Sequence, residues 1–210
     1  GKPILNNYIP MLENLPFALA IALWFIAIFL QLIAAYNSSS LIPGINAQLL
    51  LIFIGTMSSM IWAFEKLKHL TASTHLIIHD YYELLFWGSG HLLQFFYTHL
   101  LLAAWCLLSN SKKEGCRWWK AASWINVGCA LPVVLYLPWV AIDSSLYQDL
   151  FTEQMKWLGG VAPLVALGSI LYFNDFKKVM LRSYYLWSII LFLTGGSLGL
   201  LINEINVTIP

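Results

Sequence analysis

Long apolar runs separated by short polar patches set the pattern of this chain. Segments 15–36, 48–65, 81–108, 121–141, 157–173 and 184–203 are each predominantly apolar. A helix of ~20 such residues crosses the ~30 Å hydrocarbon layer of a bilayer. With no water to satisfy the backbone there, each run is expected to be an α-helix. No stretch alternates with period two for long enough to suggest barrel strands. No repeat or low-complexity segment interrupts the pattern. The reading is an all-α, polytopic transmembrane bundle of six spans, with residues 1–210 forming one unit.

Composition agrees. The chain is 60% hydrophobic and only 10% charged, with a mean hydropathy of +0.72, where soluble domains carry roughly 25% charged residues. The lipid bilayer is therefore the expected solvent and principal partner. Aromatic residues make up 15%, as suits a protein with interfacial belts. A net charge of +1 gives no electrostatic footprint for nucleic acid. Cys106, Cys116 and Cys129 have no metal-type spacing and read as free thiols. The chain starts at Gly1 and stops at Pro210 just after an apolar run, so both ends are expected to be cuts through a longer protein.

Charge orients the spans. If the N-terminus lies on side one, that side receives Lys2, Lys66, Lys68 and Lys156. Side two receives Lys112, Lys113, Arg117, Lys120, Lys177, Lys178 and Arg182. The richer side is expected to be cytoplasmic, which puts side one, with both ends of the chain, outside. The Lys112-Lys113 and Lys177-Lys178 pairs read as topology signals.

All five histidines fall between His69 and His99. His91 is the most telling, because it lies ten residues into the third span, ~15 Å from Tyr81 at 1.5 Å per residue. An imidazole at that depth is expensive and usually faces a cavity, a polar partner or a metal. At 100° per residue His91, Gln94, Phe95 and Thr98 share a face, with His99 at its margin. Gly88 and Gly90 thin the helix just before it, so that a neighbouring helix or a flat cofactor can approach.

Leu85-Phe86-Trp87-x-x-Gly90-His91 resembles the start of the sixth helix in the catalytic subunit of haem–copper oxygen reductases. Leu193-Thr194-Gly195-Gly196-Ser197-Leu198-Gly199 resembles the G-G-x-x-G pattern of that family's ninth helix. The six spans would then correspond to helices four to nine of a twelve-helix subunit, and the charge-based orientation agrees with that register. The resemblance implies a respiratory oxidoreductase of the bacterial inner (plasma) membrane. It would pass electrons from cytochrome c or quinol to oxygen or, in the nitric oxide reductase branch, to nitric oxide. It implies His91 as a ligand of copper or non-haem iron, and Trp87, Gly88 and Gly90 as residues shaping the cofactor pocket. It also implies haem held by residues outside this chain, and the remaining helices of the same subunit as partners.

The sequence departs from the family at several positions. Span 121–141 lacks the two adjacent histidines that complete the family's copper site, and Leu92, Leu93, Gln94 and Phe95 stand where many oxidases have Pro, Glu and Tyr. The proton-path lysine of the family's eighth helix has no counterpart in 157–173. These losses point towards the nitric oxide reductase or cbb3-type branches, or to a divergent relative. Two other functions stay open: a non-catalytic haem-binding relative without copper, and an unrelated proton-coupled transporter using His91 and Glu83.

The remaining polar residues have plainer expectations. His75 and His79, spaced i, i+4, fit an interfacial amphipathic segment, or else a second metal or proton-entry site. Glu83 is expected to be a solvated acid in the headgroups, or a proton relay if it faces the bundle. His99 is expected to pack through a hydrogen bond, or to serve a proton path, with Tyr97 and Gln94 as polar partners. Asn203 and Glu204 read as an ordinary helix end, and Asn206-Val207-Thr208 is a short sequon match.

Overall fold

The computed structural model of the chain describes residues 3–4, 11–12, 14–36, 44–73, 76–109, 113–173 and 182–205. A two-residue antiparallel ladder, β1 (Pro3–Ile4) with β2 (Met11–Leu12), precedes the helices. All other regular structure among the described residues is helical. Five helices are long and apolar enough to cross a membrane: Leu15–Tyr36, Ile45–Ala72, Ile78–Ser109, Arg117–Trp139 and Arg182–Leu201. The chain is thus a multi-pass membrane protein by the length and composition of its helices.

Helix α1 (Leu15–Tyr36) starts where Asn14 supplies a cap. Its Oδ1 accepts from the Phe17 N–H at 2.8 Å, satisfying a first-turn donor. Helix α2 (Ile45–Ser73) follows Gly44, whose φ of +87° favours glycine. Asn46 Nδ2 donates to the Ala35 carbonyl at 2.6 Å and ties the end of α1 to the start of α2. Phe25 and Phe29 of α1 pack on Phe53 of α2, with ring centroids 6.2 and 6.3 Å apart.

Helix α3 (Ile78–Ser109) is the centre of the bundle. Its buried stripe runs through Leu84, Gly88, Leu92, Phe95, His99 and Leu102. Lipid tails are as apolar as the core, so close packing and buried hydrogen bonds hold such helices together.

The fourth predicted span is a broken helix. Helix α4 (Lys113–Ala130) stops before Pro132 and is followed by α5 (Pro132–Tyr136) and a 3-10 turn (Leu137–Trp139). Proline has no N–H, and its ring clashes with the carbonyl four residues back. The last regular bond is Leu131 N–H to the Val127 carbonyl, and Val134 N–H then bonds only three residues back, to Leu131. Gln154, from the next helix, donates its amide to the Cys129 and Ala130 carbonyls at 2.7 and 2.8 Å. A side chain thus re-pairs backbone groups at the break, the condition for tolerating one inside a bilayer. Gly55 of α2 makes room there, since a Cβ would lie 2.6 Å from Leu131 Cδ2.

The fifth predicted span, 157–173, differs from the structure. Helix α7 (Val161–Phe173) has only 13 residues, and a separate helix α6 (Ser145–Leu158) precedes it across Gly159-Gly160. Ser144 caps α6, its side chain accepting from the Tyr147 N–H. A Cβ at Gly159 would lie 2.7 Å from the Met155 carbonyl oxygen, so the junction requires glycine. Helix α6 buries Tyr147, Phe151 and Gln154, spaced i, i+4, i+7, and turns Asp149 and Glu153 outward. Helix α7 lays Ala162 and Ala166 in one cluster with Trp119 and Ala122 of α4 and Leu102 and Trp105 of α3. Helix α8 (Arg182–Ile205) joins that cluster through Tyr185, and Trp105 Nε1 donates to Ser188 Oγ at 2.9 Å.

Candidate functional site

The glycine before the candidate histidine is used for close helix packing. A Cβ on Gly88 would lie 2.5 Å from Ser59 Oγ of α2 and 2.7 Å from the Phe151 ring of α6. Helices α2 and α6 therefore take the approach that the sequence left open to a neighbouring helix or a flat cofactor. Tyr147 anchors α6 to the same turn, its hydroxyl donating to the Leu84 carbonyl and accepting from the Gly88 N–H, both at 3.1 Å.

Trp87 joins the same assembly. Its indole Nε1 donates to the Gln148 carbonyl of α6 at 3.2 Å. Its own carbonyl oxygen lies 2.7 Å from Nδ1 of His91, one turn on. A carbonyl only accepts, so Nδ1 carries the proton and Nε2 holds the lone pair of the neutral ring. The imidazole is half-buried, with ring centroids 5.1 Å from Trp87 and 6.1 Å from Phe151. A carbonyl partner on the second nitrogen is the usual way a histidine ligand has its tautomer and ring plane fixed. Gly90 is half-buried beside it.

The structure alters the face expected around His91. Gln94 and Tyr97 are exposed, whereas Phe95, Thr98 and His99 are buried. The buried stripe centres on Gly88, so the six residues to Gln94 rotate it away from the core. His99 is fully enclosed, and its partner is Asn126 of α4 rather than Gln94 or Tyr97. Glu83 is 9% exposed, and so is enclosed by protein rather than a solvated headgroup acid.

The other candidates stay apart from this site. His79 Nδ1 and Asp80 Oδ1 form an exposed pair at 3.3 Å, while His75 lies outside the described residues. His69 is exposed on the last turns of α2. Cys106 and Cys129 are in no disulfide among the described residues. Gly195, Gly196 and Gly199 are exposed on α8, and a Cβ on any of them would meet nothing within 4 Å. The sequon at 206–208 and the Lys177-Lys178 pair also lie outside the described residues. Among the described residues no three His, Cys, Asp or Glu side chains converge to hold a metal ion.

Sequence reasoning missed the α6 wall of the site, made by Tyr147, Gln148 and Phe151. The signal was present: Ser144 as a cap, followed by an apolar stripe with helical spacing between acidic residues. It was masked because Asp143, Asp149, Glu153 and Lys156 made the stretch read as an external loop.

Two bacterial proteins match the chain. An uncharacterized protein of Rickettsia prowazekii (strain Madrid E) is 26% identical over 250 residues, covering 99% of this chain and 49% of that protein. An uncharacterized protein of Aquifex aeolicus (strain VF5) is 25% identical over 226 residues, covering 100% of this chain and 54% of that protein. The chain spans about half the length of the curated relatives it matches. No family model matches the chain. No solved structure matches it.

Proposed function

We propose that this chain is part of a bacterial plasma-membrane oxidoreductase resembling haem–copper oxygen reductases and nitric oxide reductases. In this reading His91 is the one ligand the segment gives to copper or non-haem iron. The other ligands, and haem, belong to residues outside those described. The observation that carries it is the 2.7 Å Nδ1–Trp87 carbonyl bond within the Leu85–His91 motif, which leaves Nε2 as the basic nitrogen. The twofold length of the relatives is consistent with further helices completing the site.

Bound haem and metal would supply the electron transfer to oxygen or nitric oxide, from cytochrome c or quinol. The chain's own residues position one imidazole. Trp87 fixes its tautomer, Gln148 holds the indole of Trp87, and Phe151 packs beside the ring. Gly88 lets α6 come close enough to do this.

Six crossings complete the topology. Helices α6 and α7 make the fifth as a pair. The first packs against Leu84–His91 in the outer half of α3, and the second against Leu102 and Trp105 in its inner half. The lysine- and arginine-rich side is cytoplasmic.

One observation favours a second reading. No histidine occurs in α4, α5 or the turn that follows, so the protein is alternatively a haem-binding relative without the second metal. Optical spectra and metal analysis of the full-length protein, with His91→Ala as comparison, test both. Haem bands with a second metal lost in the variant support the first reading, and haem bands alone support the second. Absence of both haem and metal overturns the two together.

A further inference from the structure

Helix α6 carries charge at a depth where lipid does not accept it. Contacts fix its register on α3. Tyr147 hydrogen-bonds Leu84 and Gly88, and the Phe151 ring lies 6.1 Å from that of His91. The two helices therefore run side by side in the same direction. Glu153, two residues past Phe151, is about level with His91, and so ~15 Å from Tyr81 along α3. Tyr81 lies near the α2–α3 turn, where the exposed Glu65–Lys68 ion pair also sits. About half of a ~30 Å hydrocarbon layer separates Glu153 from that boundary.

The outward side of α6 presents Asp149, Glu153 and Lys156, spaced i, i+4, i+7. Glu153 Oε2 accepts from Trp157 Nε1 at 2.7 Å, and its Oε1 lies 4.0 Å from Lys156 Nζ. The charges of Glu153 and Lys156 offset each other. Asp149 is exposed and pairs with no cation among the described residues. Neighbouring helices differ, since Ile54 of α2 and Leu135 of α5, exposed at a similar depth, are apolar. An ionised side chain at membrane depth faces the interior of a bundle or an aqueous cavity, not acyl chains. Trp157 and Leu146, 67 and 53% exposed, flank the charges. Large apolar groups beside charge suit a packed protein contact rather than a wetted wall. Both relatives carry about as much chain again as the part matched here, enough for further helices.

We propose that the outward face of α6 is an internal interface of the full-length protein, covered by a further membrane-spanning helix that brings a lysine or arginine against Asp149. That cation supplies the partner which no described residue gives this carboxylate, while Trp157 and Leu146 supply the packing. The inference shares with the proposed function the presence of further helices. It does not depend on a metal at His91.

Nitroxide labels on full-length protein in lipid vesicles test it, at Glu153→Cys and separately at Asp149→Cys, in a background without the native thiols. Oxygen, enriched in lipid, and a neutral nickel chelate, confined to water, report what surrounds each label. Oxygen collisions are expected to be several-fold rarer than for a lipid labelled at mid-chain. Nickel collisions are expected to be several-fold rarer than for a label at Asp143→Cys. High oxygen access overturns the interface in favour of lipid, and high nickel access overturns it in favour of a water-filled cavity. Benzoylphenylalanine in place of Asp149 identifies the neighbour on irradiation. A cross-linked peptide of the same polypeptide carrying Lys or Arg is expected, and one without either, or from a separate protein, overturns the proposal. Metal analysis of the same protein reads the redox function separately, so either can fail without the other.

Discussion

The Tyr147 hydroxyl bridges the N–H of Gly88 and the carbonyl of Leu84, at 3.1 Å from each. These are the donor and acceptor that a regular helix would pair with each other. A phenol from α6 has thus engaged the hydrogen-bond ladder of α3 one turn before His91. Tyr147→Phe keeps the ring and removes both bonds. It is expected to lower stability by about 1–2 kcal/mol, from two buried hydrogen bonds of ordinary worth. Thermal unfolding in detergent measures this, and an unchanged midpoint would show that the hydroxyl's two bonds do not help to hold α6.

Two glycines should respond oppositely to alanine. At Gly88 the added methyl meets Ser59 Oγ and the Phe151 ring at 2.5 and 2.7 Å, so these two buried side chains must give way. The expected loss is about 1–3 kcal/mol, typical of overpacking. At Gly195 the methyl meets nothing within 4 Å, so Gly195→Ala should leave stability unchanged. Combining Gly88→Ala with Phe151→Leu should recover part of the loss. Equal effects at the two positions would contradict the packing described.

Gln154 should matter only because α4 is broken. Gln154→Leu leaves the Cys129 and Ala130 carbonyls without the amide that now serves them. A cost of about 1–3 kcal/mol is expected for stranded buried polar groups. Pro132→Ala restores an N–H and allows a continuous helix, so the leucine variant should cost less in that background. A double-mutant cycle on unfolding free energies reads the coupling. Strictly additive effects would mean that the glutamine does not serve the break.

The proposed six-crossing topology makes a separate prediction about sides. Asp143 follows the broken helix and Arg182 begins α8, with α6 and α7 between them. Cysteines placed singly at these positions, in a background without the native thiols, should be labelled from opposite faces of the membrane. Impermeant maleimide on intact cells reports the outer one, expected to be position 143. Labelling of both from one face would leave α6 and α7 as a hairpin that does not cross.

Some of this arrangement was legible in the residues. The spans at 15–36, 81–108 and 184–203 reappear as α1, α3 and α8 within a few residues, because an apolar run of that length has one dominant solution in lipid. The run 48–65 continues as α2 through Glu65, Lys66 and Lys68, whose charges are exposed on the helix surface. The run 157–173 mispredicted its own start. A glycine pair at Gly159-Gly160 is as compatible with a packed helix as with a junction, so the residues alone did not place the break between α6 and α7. Around the site, a glycine before His91 announced a close approach but not by what. The answer lay about sixty residues away in Tyr147 and Phe151, a tertiary contact that no local pattern encodes. His99 was visible as a buried histidine, but its partner Asn126 was not, because a single asparagine in an apolar span carries no directional signal.

The proposed function rests on the imidazole of His91 serving a redox metal. Copper and non-haem iron content of the full-length protein, measured beside His91→Ala purified in parallel, tests it most directly. A bound second metal is expected in the unsubstituted protein and its loss in the variant, with haem absorbance retained in both. Equal metal content in the two proteins would contradict it.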